Sequence, residues 1–269
     1  MFKATLVASL LASIASVRGH GYVGTIVADG TGYSGYLPYS DPYYNPVPDR
    51  IVRPIPGNGP VTNLSLIDVQ CNGYTDGGEE GSSPAPIYAT VAAGSEMALT
   101  WTTWPDSHMV KIVYLSVVGC QIILTLPLGN LALSIVSFSE DSNAPAERNH
   151  NAVWFKIDEL GKTDDGLWAV TDVLSAQDSA WTFTIPAKLK AGQYIIRHEI
   201  IALHAAYEYP GAQVYPSCTQ VEVTGDGTAL PTDFVSFPGA YDADTPGIVY
   251  DAYTSTGEYP IPGPDVWTA

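Results

Sequence analysis

Basic residues are scarce in this 269-residue sequence: 11 Lys and Arg stand against 28 Asp and Glu, for a formal charge of −17. Such an acidic surface repels phosphate backbones and anionic headgroups, which argues against nucleic acid and membranes as partners. A neutral polymer would meet little of that repulsion. After the first 19 residues no segment carries a sustained helical period, so no bundle or coiled coil is expected. Hydrolase signatures are missing too. No motif singles out two carboxylates facing each other across a cleft, as glycoside hydrolysis would require, and Glu199 should alternate inward beside His198. A nucleophile-elbow signal is also lacking. Cysteine is sparse, with three in the chain. Cys71 and Cys218 sit in polar, turn-like settings and Cys120 in an apolar run, so Cys71 is expected to pair with Cys218 and leave Cys120 over.

What the chain has in plenty is Gly (25), Pro (21) and Tyr (17), the composition of many turns and aromatic strands. Short strands are expected at residues 21–28, 87–92, 96–103, 152–157, 179–185, 192–202 and 213–223, most of them bounded by turn residues. Residues 187–192 read as a hairpin approach to the strand that follows. Several short strands around one core imply an all-β fold, a β-sandwich with long loops and few short helices. The loop through Gly32-Tyr33-Ser34-Gly35-Tyr36 to Asp41-Pro42-Tyr43-Tyr44 is expected to lack regular structure. Its tyrosines are either packed on one another or laid out as a platform for sugar rings. From Pro231 the chain should wrap the sandwich as an extended strap.

The first residues form a leader: Met1-Phe2-Lys3, an apolar run from Ala4 to Val17, and small residues at Val17 and Gly19. That is a secretory signal peptide, residues 1–19, and it places the protein outside the cell. Cleavage after Gly19 leaves one domain, 20–269, beginning at His20 with a free α-amine beside its imidazole. Those two nitrogens can chelate one metal ion. Asn63-Leu64-Ser65 is a glycosylation sequon, consistent with export.

The amino-terminal His20-Gly21-Tyr22-Val23 is joined by Trp104-Pro105-Asp106-Ser107-His108, Arg197-His198-Glu199-Ile200-Ile201-Ala202-Leu203-His204, Gly211-Ala212-Gln213-Val214-Tyr215-Pro216-Ser217-Cys218 and Tyr259-Pro260-Ile261-Pro262-Gly263-Pro264. Together these resemble the fungal copper-dependent lytic polysaccharide monooxygenases of auxiliary activity family nine, once classed as glycoside hydrolases. The resemblance covers His20 to about His108 and about Asn151 to Trp267. It implies an immunoglobulin-like or fibronectin-like sandwich and a single copper ion cycling between Cu(II) and Cu(I). His20 would bind it through amine and ring, with His108 opposite and Tyr215 in the axial place. His204 and Gln213 would hydrogen-bond the bound oxygen. Tyr43 and Tyr259 would flank the metal on a flat face that meets cellulose or a related β-glucan. The implied reaction is oxidative cleavage of that chain at C1 and/or C4, with an external electron donor and O2 or H2O2, by a protein expected to act as a monomer. The alternative is a copper- or carbohydrate-binding protein of the same fold without turnover.

The resemblance breaks at residues 109–149, where Ile112–Ser139 is uncharged and largely apolar. Its length would suit a membrane span, but a single span would divide His20 from Tyr215, and Pro127-Leu128-Gly129-Asn130 interrupts it. Two readings stay open, a divergent pair of core strands or translated intron sequence, with the second favoured because the resemblance resumes abruptly near Asn151. Under that second reading a core strand is replaced, His108 is displaced, and the activity of this chain is in question.

Overall fold

The structure, a computed structural model, describes residues 20–102 and 152–268 and, for residues 118–125, the backbone. The leader, His108 and the remainder of 109–149 lie outside the described residues. Among those described, two sheets stack face to face. One has four strands: β1 (Val23–Ala28), β2 (Thr31–Ser34), β4 (Glu96–Trp101) and β7 (Ala180–Thr184), in the order β2-β1-β4-β7. The other has five, in the order β3-β9-β8-β5-β6: β3 (Ala89–Ala92), β5 (Val118–Thr125), β6 (Trp154–Leu160), β8 (Gly192–Ala202) and β9 (Gln213–Thr224). Pairing is antiparallel except between β3 and β9. This is the all-β sandwich that the turn-separated strands imply, and its helical content is short, such as α1 (Asp68–Cys71).

Strand period places the core. In β4 the residues Met97, Leu99 and Trp101 point inward, and in β7 Trp181 and Phe183 do the same. In β1, Val23 and Ile26 are both buried although three residues apart, because the register shifts between Val23 and Thr25 and resets the alternation. Strand β8 is buried on both faces. Tyr194, Ile196, Ile200 and Ala202 meet the four-stranded sheet, and Ile195 and Ile201 meet a second core made with Val69, Phe237, Tyr241 and Ile248. The tail supplies much of that second core. It runs without a strand, bridging at Val235 to Trp154 and at Val266 to Lys156, as a strap across the sheet.

A buried ionic network also stands on that face. Arg197 lies 2.7 Å from each Glu199 carboxylate oxygen and donates to the carbonyls of Val69 (2.8 Å) and Gln70 (2.9 Å), and Tyr241 donates to Glu199 Oε1. Burial opposes the charge of Arg197 most strongly, but Glu199 and Tyr241 together outweigh it and leave the guanidinium pKa above its ordinary value. The network therefore ties α1 and the strap to β8. Beside it Cys71 and Cys218 are bonded, with Cα atoms 5.2 Å apart, as their turn-like settings suggest. Closing so long a loop stabilises the fold by roughly 4–5 kcal/mol in the chain-entropy account.

Two sequence expectations need correction. The stretch after Ala28 is not all irregular: Asp29-Gly30, with φ of 47° and 76°, makes a two-residue turn, and Thr31–Ser34 pairs back on β1. Residues 187–192 are not a hairpin, because β7 and β8 belong to different sheets and the connection crosses between them. Within the uncharged stretch, the backbone of Val118–Thr125 forms β5 between β8 and β6, with Cys120 opposite His198 in register.

Candidate metal centre

Both sheets end at one rim, and the candidate residues gather there. At the start of β1, the Tyr22 amide donates to the Thr102 hydroxyl at 3.0 Å and the Thr102 amide returns to the Tyr22 carbonyl at 2.8 Å. This pairing carries His20 to the edge of the sandwich, where it is exposed. Tyr215, near the start of β9, is buried and stacks its ring against that of His20 with centroids 5.8 Å apart. The Tyr215 hydroxyl donates to Gln213 Oε1 at 3.3 Å, the two side chains sharing one face through the period of two. His204 follows the end of β8, whose last residue Ala202 pairs with Gln213. Its turn is held from the strap, where the Tyr253 hydroxyl donates to the His204 carbonyl at 3.2 Å and the Tyr250 amide to the Ala206 carbonyl at 2.7 Å. His20, Tyr215, Gln213 and His204 are thus brought to the same end of the fold. His108 lies outside the described residues.

Burial raises the Tyr215 phenol well above its ordinary value, so it stays protonated. A neutral phenol is a weak oxygen donor, suited to a long contact with a metal rather than a full bond. Among the described residues no three His, Cys, Asp or Glu side chains converge on a metal site. The described donors there include the ring nitrogens of His20 and the Tyr215 oxygen, and imidazole nitrogen suits copper.

Tyr43 and Tyr259 fare differently. Tyr43 is 85% exposed on a single 3-10 turn, Asp41–Tyr43, that opens with Pro42. The turn is held rigidly: the buried Asp41 carboxylate takes two hydrogen bonds from Arg50 at 2.8 Å, and those bonds set its pKa below the ordinary carboxylate value. Tyr259 is 6% exposed, donates its hydroxyl to the Gly247 carbonyl at 2.8 Å and packs edge-on against Trp168 and Tyr250. It is a core residue of the strap and cannot stack on a polymer. Its placement on the flat face is therefore corrected, and Tyr253, half exposed beside His204, is the strap tyrosine that reaches the surface.

Sequence reasoning also passed over two residues of this rim. Asn58 donates from Nδ2 to the His20 carbonyl at 2.9 Å, and Tyr39 donates to Asn58 Oδ1 at 2.6 Å. The clue was the turn Ile55-Pro56-Gly57-Asn58-Gly59-Pro60, too irregular to be strand and too polar in its middle to be core.

The other motif histidine, His198, has no access to the rim. It is 0% exposed, its Nδ1 accepts from Trp101 Nε1 at 3.2 Å, and burial together with Arg197 pushes its pKa down to about 3. Glu199 is equally buried and paired with Arg197, which agrees with the expected inward alternation and removes it from any acid-base role.

Comparison with known proteins agrees with this architecture. The model of Auxiliary Activity family 9 (formerly GH61) matches residues 20–123 and 133–259. Among relatives, AA9 family lytic polysaccharide monooxygenase B of Gloeophyllum trabeum is 53% identical over 262 residues, 97% of this chain and 96% of that one. The enzyme of the same designation from Malbranchea cinnamomea is 48% identical over 267 residues, 99% of each chain. Among solved structures, the extended catalytic domain of H. jecorina LPMO9A superposes with a TM-score of 0.73 at 29% identity, over 92% of this chain and 90% of that one. A cellulose-active polysaccharide monooxygenase from M. thermophila superposes with a TM-score of 0.71 at 27% identity, over 93% and 99%. Members of the family are extracellular, copper-dependent enzymes, and no helix among the described residues is long and apolar enough to cross a membrane. A rim that presents His20 against Tyr215, on a sandwich matched by the family model over most of its length, places this chain in the AA9 family of lytic polysaccharide monooxygenases.

Proposed function

We propose that the mature chain starts at His20, carries one copper ion at the rim, and cleaves cellulose or a related β-1,4-glucan at C1 and/or C4. The observation that carries this reading is the stack of His20 on Tyr215, which brings a residue before β1 against the start of β9 at the rim. His20 would hold the metal through its amine and ring, His108 would supply a third nitrogen, and Tyr215 would bring its phenol oxygen to it at longer range. His108 is six residues beyond Thr102, which is bonded to Tyr22. A chain of that length reaches up to about 20 Å, ample to return to the same rim.

When bound, copper supplies one-electron chemistry toward O2 or H2O2, leading to hydroxylation of a sugar carbon beside the glycosidic bond and scission by elimination. The protein's own part is in binding and protons. The buried Tyr215 keeps its O–H and donates it to Gln213, which leaves the Gln213 amide N–H and the His204 imidazole to hold or pass protons at the oxygen-binding position. The exposed Tyr43 gives a sugar ring an apolar face to lie on. Cellulose is favoured because an exposed tyrosine face suits a crystalline polymer, which cannot enter a pocket. Export through residues 1–19, glycosylation at Asn63 and an external electron donor complete the reading. Asn63 is exposed and accepts from the Ser65 amide and hydroxyl at 3.1 and 2.6 Å, a turn that leaves the sequon on the surface.

The test is to incubate the copper-loaded mature protein with cellulose and ascorbate and analyse the soluble products by mass spectrometry. Oxidised oligosaccharides are expected. Their absence with copper bound would leave the binding protein without turnover.

A further inference from the structure

Asn58 and Tyr39 hold the amino-terminal residue by its backbone, and we propose that they are positioning residues for the His20 chelate. This rests on the reading of His20 as a metal ligand. The need for such a device follows from the local sequence. Residue 22 is anchored by its two-way pairing with Thr102, but between that anchor and His20 stands Gly21, the residue with the widest backbone freedom. A terminal residue beyond a glycine would ordinarily fray. The Tyr22 anchor therefore fixes the strand but does not by itself set the Gly21 dihedrals.

Asn58 supplies a backbone restraint on the far side of that hinge. Its Nδ2 donates to the His20 carbonyl at 2.9 Å, which sets the plane of the 20–21 peptide. With that plane fixed, the torsion about the His20 Cα–C bond sets where the amine stands, and that torsion with the side-chain rotamer sets where the imidazole stands. The amide of Asn58 has one workable orientation. Its Oδ1 accepts from the Tyr39 hydroxyl at 2.6 Å, and the same hydroxyl accepts from the Asn58 backbone amide at 3.1 Å. A flipped amide would set Oδ1 against the His20 carbonyl, two acceptors facing each other. Tyr39 is fixed in turn by the edge of its ring against Tyr22, with centroids 6.4 Å apart, so the restraint closes on the residue next to the hinge. None of these groups donates an electron pair to the metal. They act by holding the residue that does, as outer hydrogen bonds orient metal ligands elsewhere.

The test uses the full mature chain as wild type, Asn58→Leu and Tyr39→Phe. Cu(II) affinity is measured by calorimetry, the Cu(II) electron paramagnetic resonance spectrum is recorded, and the melting temperature is taken without copper. Asn58→Leu should weaken Cu(II) by about ten- to a hundredfold, the range for losing an outer hydrogen bond to a ligand. It should also broaden or shift the copper hyperfine pattern while the copper-free melting temperature stays within a few degrees. Tyr39→Phe, which keeps the ring on Tyr22 and removes only the hydroxyl, should show the same changes at smaller size. Wild-type affinity and an unaltered spectrum in Asn58→Leu would overturn the proposal, as would a lowered melting temperature with the spectrum unchanged. If the wild type itself binds no copper, the reading of His20 as a ligand fails, and this proposal fails with it.

Discussion

Two histidines of this chain, His20 and His198, show how placement decides what one side chain can do. His20 ends a strand at the open rim, exposed and stacked on a tyrosine, with its backbone held by Asn58. His198 stands in the middle of β8 with its Nδ1 against Trp101 and its Nε2 without a partner among the described residues. The first is free of the core and available to a metal. The second is fixed as a neutral ring between two sheets, next to a buried Arg197–Glu199 pair whose work is to bind the strap to β8. Stability is therefore concentrated in the middle of β8 and chemistry at its end, and changes in one region should leave the other nearly untouched.

The strongest way to break that separation is Glu199→Gln, which leaves Arg197 buried without a counter-charge. It should destabilise the fold by about 3–5 kcal/mol, read from the urea midpoint. The folded fraction should still bind Cu(II) with unchanged affinity, and a loss of affinity would show that the two regions are coupled. A milder probe is pH. Because the fold lowers the pKa of His198 from about 6.5 to about 3, the unfolded chain takes up a proton between those values and the folded chain does not. Stability contributed by this group is complete above pH 6.5 and is lost as pH falls toward 3, at about 1.4 kcal/mol per pH unit. Urea unfolding at pH 4, 5 and 6 should show that slope, and His198→Gln should flatten it. The smallest effect is expected at the rim. Tyr43→Ala should weaken cellulose adsorption by a fewfold, about 1 kcal/mol, with no change in melting temperature, because its ring is almost wholly in water.

Much of this was legible in the sequence, and the failures have physical causes. Strand alternation and turn residues foretold the sandwich, and the motifs around His20, Gln213 and Tyr215 foretold the rim. The hairpin of β1 and β2 was hidden by the glycines and tyrosines of Thr31–Ser34, although Asp29-Gly30 is a strong two-residue turn signal. Tyr259 was misplaced because motif position does not report burial, and a strap residue can turn either way. The turn around Asn58 marked a loop, but its partner could not be read from it, since that partner lies 38 residues earlier and is a backbone carbonyl.

The most direct measurement compares Cu(II) binding by the chain beginning at His20 with that of the same chain carrying one additional glycine before it. The added residue removes the α-amine from His20 and leaves every side chain in place. The account predicts one tightly bound Cu(II) per chain in the first case, and in the second a loss well beyond the ten- to hundredfold expected for an outer-shell change, with the same melting temperature without copper. Equal affinity in both chains would contradict it.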